Sequence, residues 1–337
     1  MTLFGAYEPS GLMYSAKGLA LGALKWDKDI ANTLYSCTLC GYCEDLCGRG
    51  YRHTPAISIL EELRRIIPEN LKPNNLTRAA KSISSTAGHK LDILRSFGIP
   101  DPSEEKKVDT VLFADRSIIA NQNKLKEIGF LIQKNGKKIG CFINDPLPPV
   151  DTTLLSAGYQ DVLEDCLEEI DTRLESHDIK QVICYNPESL SVFVRFSNSR
   201  AQFVSITQLY TQLLKKKPHK KLKMAAVTYQ DPCHLGRYSK EYVAPRQVIA
   251  GLGLTLKEMW RSGHNSLCCG AGGGVLTDKP KLAKRYATNR WNEAKATGAK
   301  IIVTACPFCT INLNQSKPKG CTVIDITSLM AQAYGYK

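Results

Sequence analysis

Residues 300–309 read KIIVTACPFC, an apolar run rich in β-branched residues that ends on a Cys-x-x-Cys pair. A second apolar run, KMAAVTY at 223–229, leads in the same way into DPC and Cys233. Buried strands of a parallel sheet have this composition, and open α/β sheets gather their ligands at the carboxyl ends of the strands. Between the two runs lies SLCCGAGGGVL at 266–276, with Cys268 and Cys269 adjacent and a glycine run behind them. Neighbouring cysteines rarely bridge each other, because disulfide geometry strains so short a loop. Glycines let a main chain pass close to something bulky, here expected to be a large inorganic body. The set Cys233, Cys268, Cys269, Cys306 and Cys309 is spaced C-x34-CC-x36-C-x2-C. These five thiols are one more than a single zinc ion or an ordinary four-iron cube takes.

The chain has 13 cysteines in 337 residues, with 43% hydrophobic and 23% charged residues, so it is globular and long enough for two cores. The apolar piece GLALGAL at 18–24 is short and lacks a cleavage site after it, so no secretory leader is expected. No run approaches the roughly 18 apolar residues of a membrane span. Clustered cysteines in a chain expected to stay in a reducing cytoplasm indicate metal or redox chemistry rather than a disulfide framework. The formal charge is +13, densest in KKKPHKKLK at 215–223. That stretch contains no Phe, Tyr or Trp on which a base would stack, so it reads as a solvated linker and nucleic acid is not an expected partner. Metal-bound thiolates would also lower the real charge, and a basic surface suits an acidic redox partner.

Near the amino terminus, CTLCGYCEDLC at 37–47 places Cys37, Cys40, Cys43 and Cys47 with gaps of two, two and three. That is the bacterial ferredoxin run for a cubane 4Fe-4S cluster, in which one tight loop brings several sulfurs to one cage. Zinc sites are usually built from two separated pairs instead. In two-cluster ferredoxins the last cysteine of a run serves the other cluster. Cys47 and a remote thiol therefore both stand as fourth ligands, with Cys47 preferred because no second run needs it. Gly48 follows where ferredoxins usually carry proline. Beyond it, Thr54–Pro55 opens a helix with Ile57, Leu60, Leu63, Ile66 and Ile67 on one face, stopped by Pro68 and Asn70.

The five-cysteine spacing and the string CCGAGGG resemble the cysteine-rich CCG domain of the B-type and D-type subunits of heterodisulfide reductase. The same domain occurs in iron–sulfur subunits of glycolate oxidase, lactate-utilisation proteins and anaerobic glycerol-3-phosphate dehydrogenase. The resemblance covers roughly residues 30–315. It implies a noncubane 4Fe-4S cluster held by Cys233, Cys268, Cys269, Cys306 and Cys309, of the kind that attacks a disulfide in heterodisulfide reductase. A ferredoxin-like helical part ahead of the CCG unit resembles the D-type subunit, which has two ferredoxin runs where this chain has one.

Relatives of this kind usually carry two CCG units, and a ligand-free copy is legible upstream. VDTVLFAD at 108–115 reads as a strand ending at Asp115; Pro148–Pro149 follow, and then Asn186 and Ser189 around Pro187 in KQVICYNPES. The frame D-x32-PP-x36-N-x2-S keeps step with the second unit. Asp, Pro, Asn and Ser cannot jointly hold an iron–sulfur cluster. Cys141, Cys166, Cys184 and Cys321 read as structural thiols. His234 and His264 stand near the ligands, read first as structural residues and otherwise as proton donors or hydrogen-bond donors to cluster sulfur, and Arg237 as an attractor of an anionic substrate. GAGGG lacks the strand–G-x-G-x-x-G–helix frame of a dinucleotide site.

The expected fold class is α/β. A helical ferredoxin-like segment (1–105) is followed by a degenerate CCG unit (106–214), a basic linker (215–221) and a cluster-bearing CCG unit (222–337). The expected function is that of an iron–sulfur electron-transfer subunit, disulfide-reducing in its catalytic form, within a heterodisulfide-reductase-like complex. The alternative is the iron–sulfur subunit of a glycolate, lactate or glycerol-3-phosphate dehydrogenase delivering electrons to quinone. Partners are then a flavoprotein, a ferredoxin-like subunit or a membrane cytochrome b, with a disulfide or quinone as the ultimate electron partner. Location follows as cytoplasmic, with attachment to the inner membrane face only through a partner.

Overall fold

The computed structural model of the chain describes residues 7–48, 54–82, 88–104 and 108–336. The amino-terminal part is helical: α1 (Pro9–Ala20), α2 (Lys28–Leu34), α3 (Tyr42–Cys47), α4 (Ala56–Ile66) and α5 (Asn74–Lys81). On and just after α4, Ile57, Leu60, Leu63 and Ile67 are buried as their spacing predicts. Ile66, expected on the same face, is 48% exposed, since at 3.6 residues per turn it points away from the other four. Arg64 lies on the buried stripe and is completely covered.

Next come β1 (Thr110–Phe113), α6 (Gln122–Asn135), α7 (Gln160–Ser176), β2 (Gln181–Cys184), α8 (Pro187–Phe196), β3 (Gln202–Ser205) and α9 (Ile206–Lys216). The order then recurs with β4 (Val227–Gln230), α10 (Val243–Gly251), α11 (Pro280–Ala296), β5 (Ile301–Thr304), α12 (Pro307–Gln315), β6 (Thr322–Asp325) and α13 (Ile326–Ala333). Two separate parallel sheets result, β1-β2-β3 and β4-β5-β6. A lone parallel bridge extends each on the far side of its first strand, Val111 with Gly140 and Val227 with Leu256. The chain therefore turns in opposite directions on leaving the first strand and on returning to it, which opens a crevice at the carboxyl ends of β1 and β2, and of β4 and β5.

The strands are shorter than the apolar runs imply. β1 stops at Phe113, and Asp115 lies beyond it as a helix cap; β4 begins only at Val227. Polar caps end these strands: Asp115, Ser205 and Asp325 each accept a backbone N–H of the helix that follows. The two sheets' helices pack crosswise, α6 on α13 and α9 on α10. Polar ties accompany the packing, with Tyr210 donating to Thr327 Oγ1 at 3.0 Å, Tyr185 to Asp325 Oδ2 at 3.1 Å, and Lys124 paired with Asp325 at 3.2 Å.

Residues 215–221 are largely exposed between the two halves, and the fold also tethers them. Lys215 and Lys216 finish α9, Lys220 N donates to Ala333 O at 2.9 Å, and Lys221 Nζ reaches Gly251 O at 2.5 Å. The tethers arise because the crosswise packing leaves helix-end carbonyls beside this segment. Of the isolated cysteines, Cys141 and Cys184 are buried, whereas Cys166 and Cys321 are only partly covered.

Gly158 shows how closely the helical part seats on the rest. It has φ +78°, and a Cβ there would lie 1.9 Å from Arg64 O. Gly136, the α6 C-cap at φ +72°, has nothing within 4 Å of the same position. Gly136→Ala should therefore cost about 1–2 kcal/mol from backbone strain alone. Gly158→Ala should cost at least about 3 kcal/mol, because strain and steric overlap add. Urea unfolding of the two variants beside the parent checks the difference; equal losses would show that the α4 contact yields freely.

Candidate sulfur-rich centre

The thiols of the two cysteine groups meet. Cys268 lies within hydrogen-bonding reach of Cys40, Cys233 and Cys269 at once. Cys309 donates to Cys269 Sγ at 3.0 Å and also bonds Cys306. Cys37 and Cys43 stand within electrostatic range of Cys40. Cys47 closes α3 and its thiol donates to Thr54 Oγ1 at 3.8 Å; residues 49–53 lie outside the described residues. The sequence implied one sulfur cage near each end of the chain. The structure brings Cys37, Cys40 and Cys43 into one chamber with the second set, because the Cys37–Cys40 loop packs into the CCG loop. Among the described residues no three of His, Cys, Asp or Glu ring a single metal ion.

Local backbone shapes this chamber. Leu39 sits at φ +48° and Gly41 at φ +71°, so the Cys37–Gly41 loop curls back and Leu39 N donates to Cys37 Sγ at 3.4 Å. In the other loop Gly270 N donates to Cys268 Sγ at 3.2 Å. The glycine run makes its close approaches to protein. A Cβ on Gly272 would meet Thr38 O at 2.8 Å, one on Gly273 would meet Cys37 O at 2.5 Å, and one on Gly274 would meet Leu76 at 2.5 Å. On Gly270 it would meet Tyr286 and Ala283 of α11. What these glycines accommodate within the protein is the Cys37–Gly41 loop and α11 packed against their main chain.

Burial governs protonation here. It pushes the Cys37 thiol up to about 11 and the Cys43 thiol up to about 12. Hydrogen bonding to Cys268 and then burial hold Cys40 and Cys233 well above the usual thiol range. Cys269 goes the other way, lowered to about 5 by hydrogen bonds from Cys268 and Cys309. Cys268 is lowered as well, by hydrogen bonding from Cys233 first and also from Cys40, against the opposing effects of Cys269 and burial.

Around the sulfurs stand polar atoms that no protein group satisfies: Arg64 Nε, Tyr229 OH, Arg237 Nη2 and Arg290 Nη2. Arg237 and Tyr229 interact electrostatically with chamber thiols, as does Arg64 with Cys37 and Arg290 with Cys309. Each unmet buried donor costs about 1–3 kcal/mol. A sulfur-only donor set ringed by unmet cationic and hydroxyl donors fits an anionic, sulfide-bearing group. Sequence reading missed Arg64 and Arg290, which belong to no motif, and Tyr229, which closes the apolar run before Cys233 and reads there only as a strand residue.

Among the flanking residues named from sequence, Arg237 departs from expectation. Arg237 spends its other donors on backbone, Nε to Cys40 O at 2.7 Å and Nη1 to His264 O and Ser266 O, so it joins the two loops rather than reaching for substrate. His264 is exposed and contributes its carbonyl. His234 is buried, stacked on Tyr238, and lowered to about 3 by burial and then by Arg195 and Arg237, so its ring is neutral. Ser191 gives its one proton to Glu188 O at 2.8 Å, which assigns the proton of the 2.9 Å Ser191–His234 contact to Nδ1. Nε2 is left as an unpartnered lone pair. His234 therefore presents an acceptor at the chamber and is held in place by Ser191 and Tyr238, which is the structural reading rather than the donor alternative.

At the corresponding crevice of the first sheet, oxygen replaces sulfur. Asp115 caps the following helix turn through Ser117 N and Ile118 N, and Asn186 caps α8 through Glu188 N at 3.1 Å. Cys306 holds the matching place before α12 without any side-chain cap bond. Ser189 Oγ donates to Val150 O at 2.8 Å and contacts Asp115 Oδ2 at 3.2 Å. Arg116 pairs with Asp151 at 3.0 Å, and Thr152 donates to Glu188 at 2.5 Å. Fixed hydrogen bonds fill the crevice.

Comparison with known proteins agrees with this centre. Residues 227–314 match the cysteine-rich domain family CCG. The D-type subunit of the dihydromethanophenazine:CoB–CoM heterodisulfide reductase of Methanosarcina barkeri is 27% identical over 91% of this chain and 80% of its own length. A protein of Chromohalobacter salexigens named "Probable membrane-anchored ferredoxin" is 26% identical over 97% of this chain and 51% of its own. The B-type subunit of the fumarate reductase (CoM/CoB) of Methanothermobacter marburgensis is 26% identical over 89% and 62%. The chain thus spans about half the length of the ferredoxin relative and most of the heterodisulfide reductase relative. No described helix is long and apolar enough to cross a membrane.

Glu188 makes the oxygen-lined crevice testable. Burial first, then Asp151 and Asp115, raise its carboxyl from 4.5 to about 8, against the pull of Thr152 and Arg116. The native chain therefore keeps a proton there that the unfolded chain releases above about 4.5, so this group's contribution to stability falls as pH rises from 5 to 8. Glu188→Gln keeps an acceptor for Thr152 and removes the titration. Urea midpoints across pH 5–8 should decline for the parent by up to about 1.4 kcal/mol per pH unit relative to the variant. Parallel curves would show that Glu188 is ionised throughout.

Proposed function

The chain is a CCG-domain protein of the iron–sulfur oxidoreductase kind, and we propose that it is an electron-transferring subunit of a heterodisulfide-reductase-like complex. In this reading Cys37, Cys40, Cys43 and Cys47 hold a cubane 4Fe-4S cluster, and Cys233, Cys268, Cys269, Cys306 and Cys309 a noncubane one. The observation that carries it is the contact between the two thiol sets, with Cys268 touching Cys40, inside a ring of unmet buried donors. Such clusters supply one-electron transfer, and at a CCG site the breaking of a disulfide.

The chain's own residues prepare the place. Arg64 and Arg237 fix the two loops against each other through backbone carbonyls and leave one N–H each toward sulfur. Their charges offset the negative charge of ligated thiolates and favour the reduced state. Burial excludes water from Cys269, Cys306 and Cys309. The half at 106–214 is read as a CCG unit that kept its fold and lost its ligands. Asp115 and Asn186 there do for helix ends what cysteine does not, and Ser191 of α8 orients His234 beside Cys233.

Iron and acid-labile sulfide analysis of anaerobically prepared chain should find about eight irons per polypeptide. Cys269→Ser should lower this to about four, with the cubane electron paramagnetic resonance signal surviving. A parent holding no more than about four irons would remove the second cluster from the account.

A further inference from the structure

The chamber's outer cover is α11, and its two faces differ in kind. Inward, Ala283 O and Tyr286 press on Gly270, the residue after Cys269, and Asn312 Nδ2 ties Cys269 O at 2.7 Å to Ala283 O at 3.0 Å. Tyr286 stands within electrostatic reach of Cys268, Cys37 and Cys40. Outward, α11 exposes Lys281, Lys284, Arg285 and Lys295. Among the described residues none of these four has an ion-pair partner, while the acids nearby are engaged: Glu293 by Arg261 and Arg290, Glu258 by Arg246, Asp278 by Lys279. The same face continues into a groove of about 410 Å³ lined by Leu267, Asn289, Asn292, Ala296 and Trp260. Trp260 is 88% exposed, the most exposed large apolar side chain described, and Leu267 immediately precedes Cys268.

An exposed tryptophan against the Asn289–Ala296 end of α11, with Arg261 5.5 Å from its ring centroid, on a helix whose outer face carries four cations, has the make-up of a transient electron-transfer contact. Such contacts are small, use an aromatic anchor, and rely on charge for encounter rate. Resting on the redox reading above, we propose that the outer face of α11 with Trp260 is the docking surface for an acidic one-electron carrier protein. The chamber then exchanges electrons through the layer of Tyr286 and Leu267. A single exposed aromatic makes a poor base-stacking platform, which sets nucleic acid second.

The test uses the full, cluster-loaded chain and two reductants: reduced plant-type ferredoxin as the acidic carrier, and photoreduced riboflavin as an uncharged one. Lys284→Glu/Arg285→Glu should slow reduction by ferredoxin at low salt by about tenfold or more. It should also abolish the parent's fall in rate with added salt. Trp260→Ala should slow it less, and riboflavin should reduce all three chains equally. A ferredoxin rate unmoved by the double variant, with riboflavin active, overturns the docking face alone. So does tight single-stranded DNA binding lost in that variant while ferredoxin is unaffected. A chain that neither reductant reduces overturns the redox reading itself.

Discussion

The buried guanidinium of Arg64 is the contact on which the arrangement depends. It donates to Leu34 O and Cys37 O at 2.8 Å, to Gly273 O at 2.8 Å and to Ser156 O at 3.2 Å. Those carbonyls belong to the helical part, the CCG loop and the first α/β half, so one side chain closes all three together. It also lies under the ring of Tyr35, 4.8 Å from its centroid. Removing a cation from water is costly, and burial lowers the Arg64 pKa accordingly. Four carbonyl dipoles offset part of that cost, and nearby thiolate charge offsets more. The site and the clamp are therefore interdependent: sulfur charge in the chamber stabilises the cation that assembles the chamber.

This explains the glycines better than spacing does. With Arg64 drawing Cys37 O and Gly273 O onto one group, the two loops must approach main chain to main chain. Side chains at Gly272 and Gly273 would occupy the space of Thr38 O and Cys37 O. The Cys37–Cys47 run and the CCG run are thus two halves of one packing problem, though Cys268 lies 221 positions after Cys47 in sequence. Arg195 of α8 adds a second tie to Glu61 of α4, at 2.6 Å. The first half is in this way locked to the helical part at a second point on α4, one turn before Arg64.

Much of this could be read from the chain. Strands ending at Cys233 and Cys306, the parallel order, and the α4 stripe follow from local patterns of hydrophobicity and turn chemistry, which leave a short-range trace. What escaped was tertiary. Nothing in ELRRI distinguishes the buried Arg64 from the exposed Arg65 next to it, because the difference lies in carbonyls supplied by distant segments. The tautomer of His234 depends on where Ser191 sends its proton, and Ser191 belongs to the other half. The tethering of 215–221 was hidden for the same reason, since the carbonyls that hold it come from α10 and α13.

The formal charge of +13 is likewise divided by the fold into two roles. Arg64, Arg237 and Arg290 face inward, where their donors are placed before any occupant arrives, so that reorganisation on taking up an electron is small. Lys281, Lys284, Arg285 and Lys295 face outward and stay solvated, where charge acts over about 10 Å and is weakened by salt. Inward cations stabilise added negative charge at the sulfurs, and outward cations raise the local concentration of whatever acidic protein brings it. One helix, α11, separates the two populations, with Arg290 on its inner face and the lysines on its outer one.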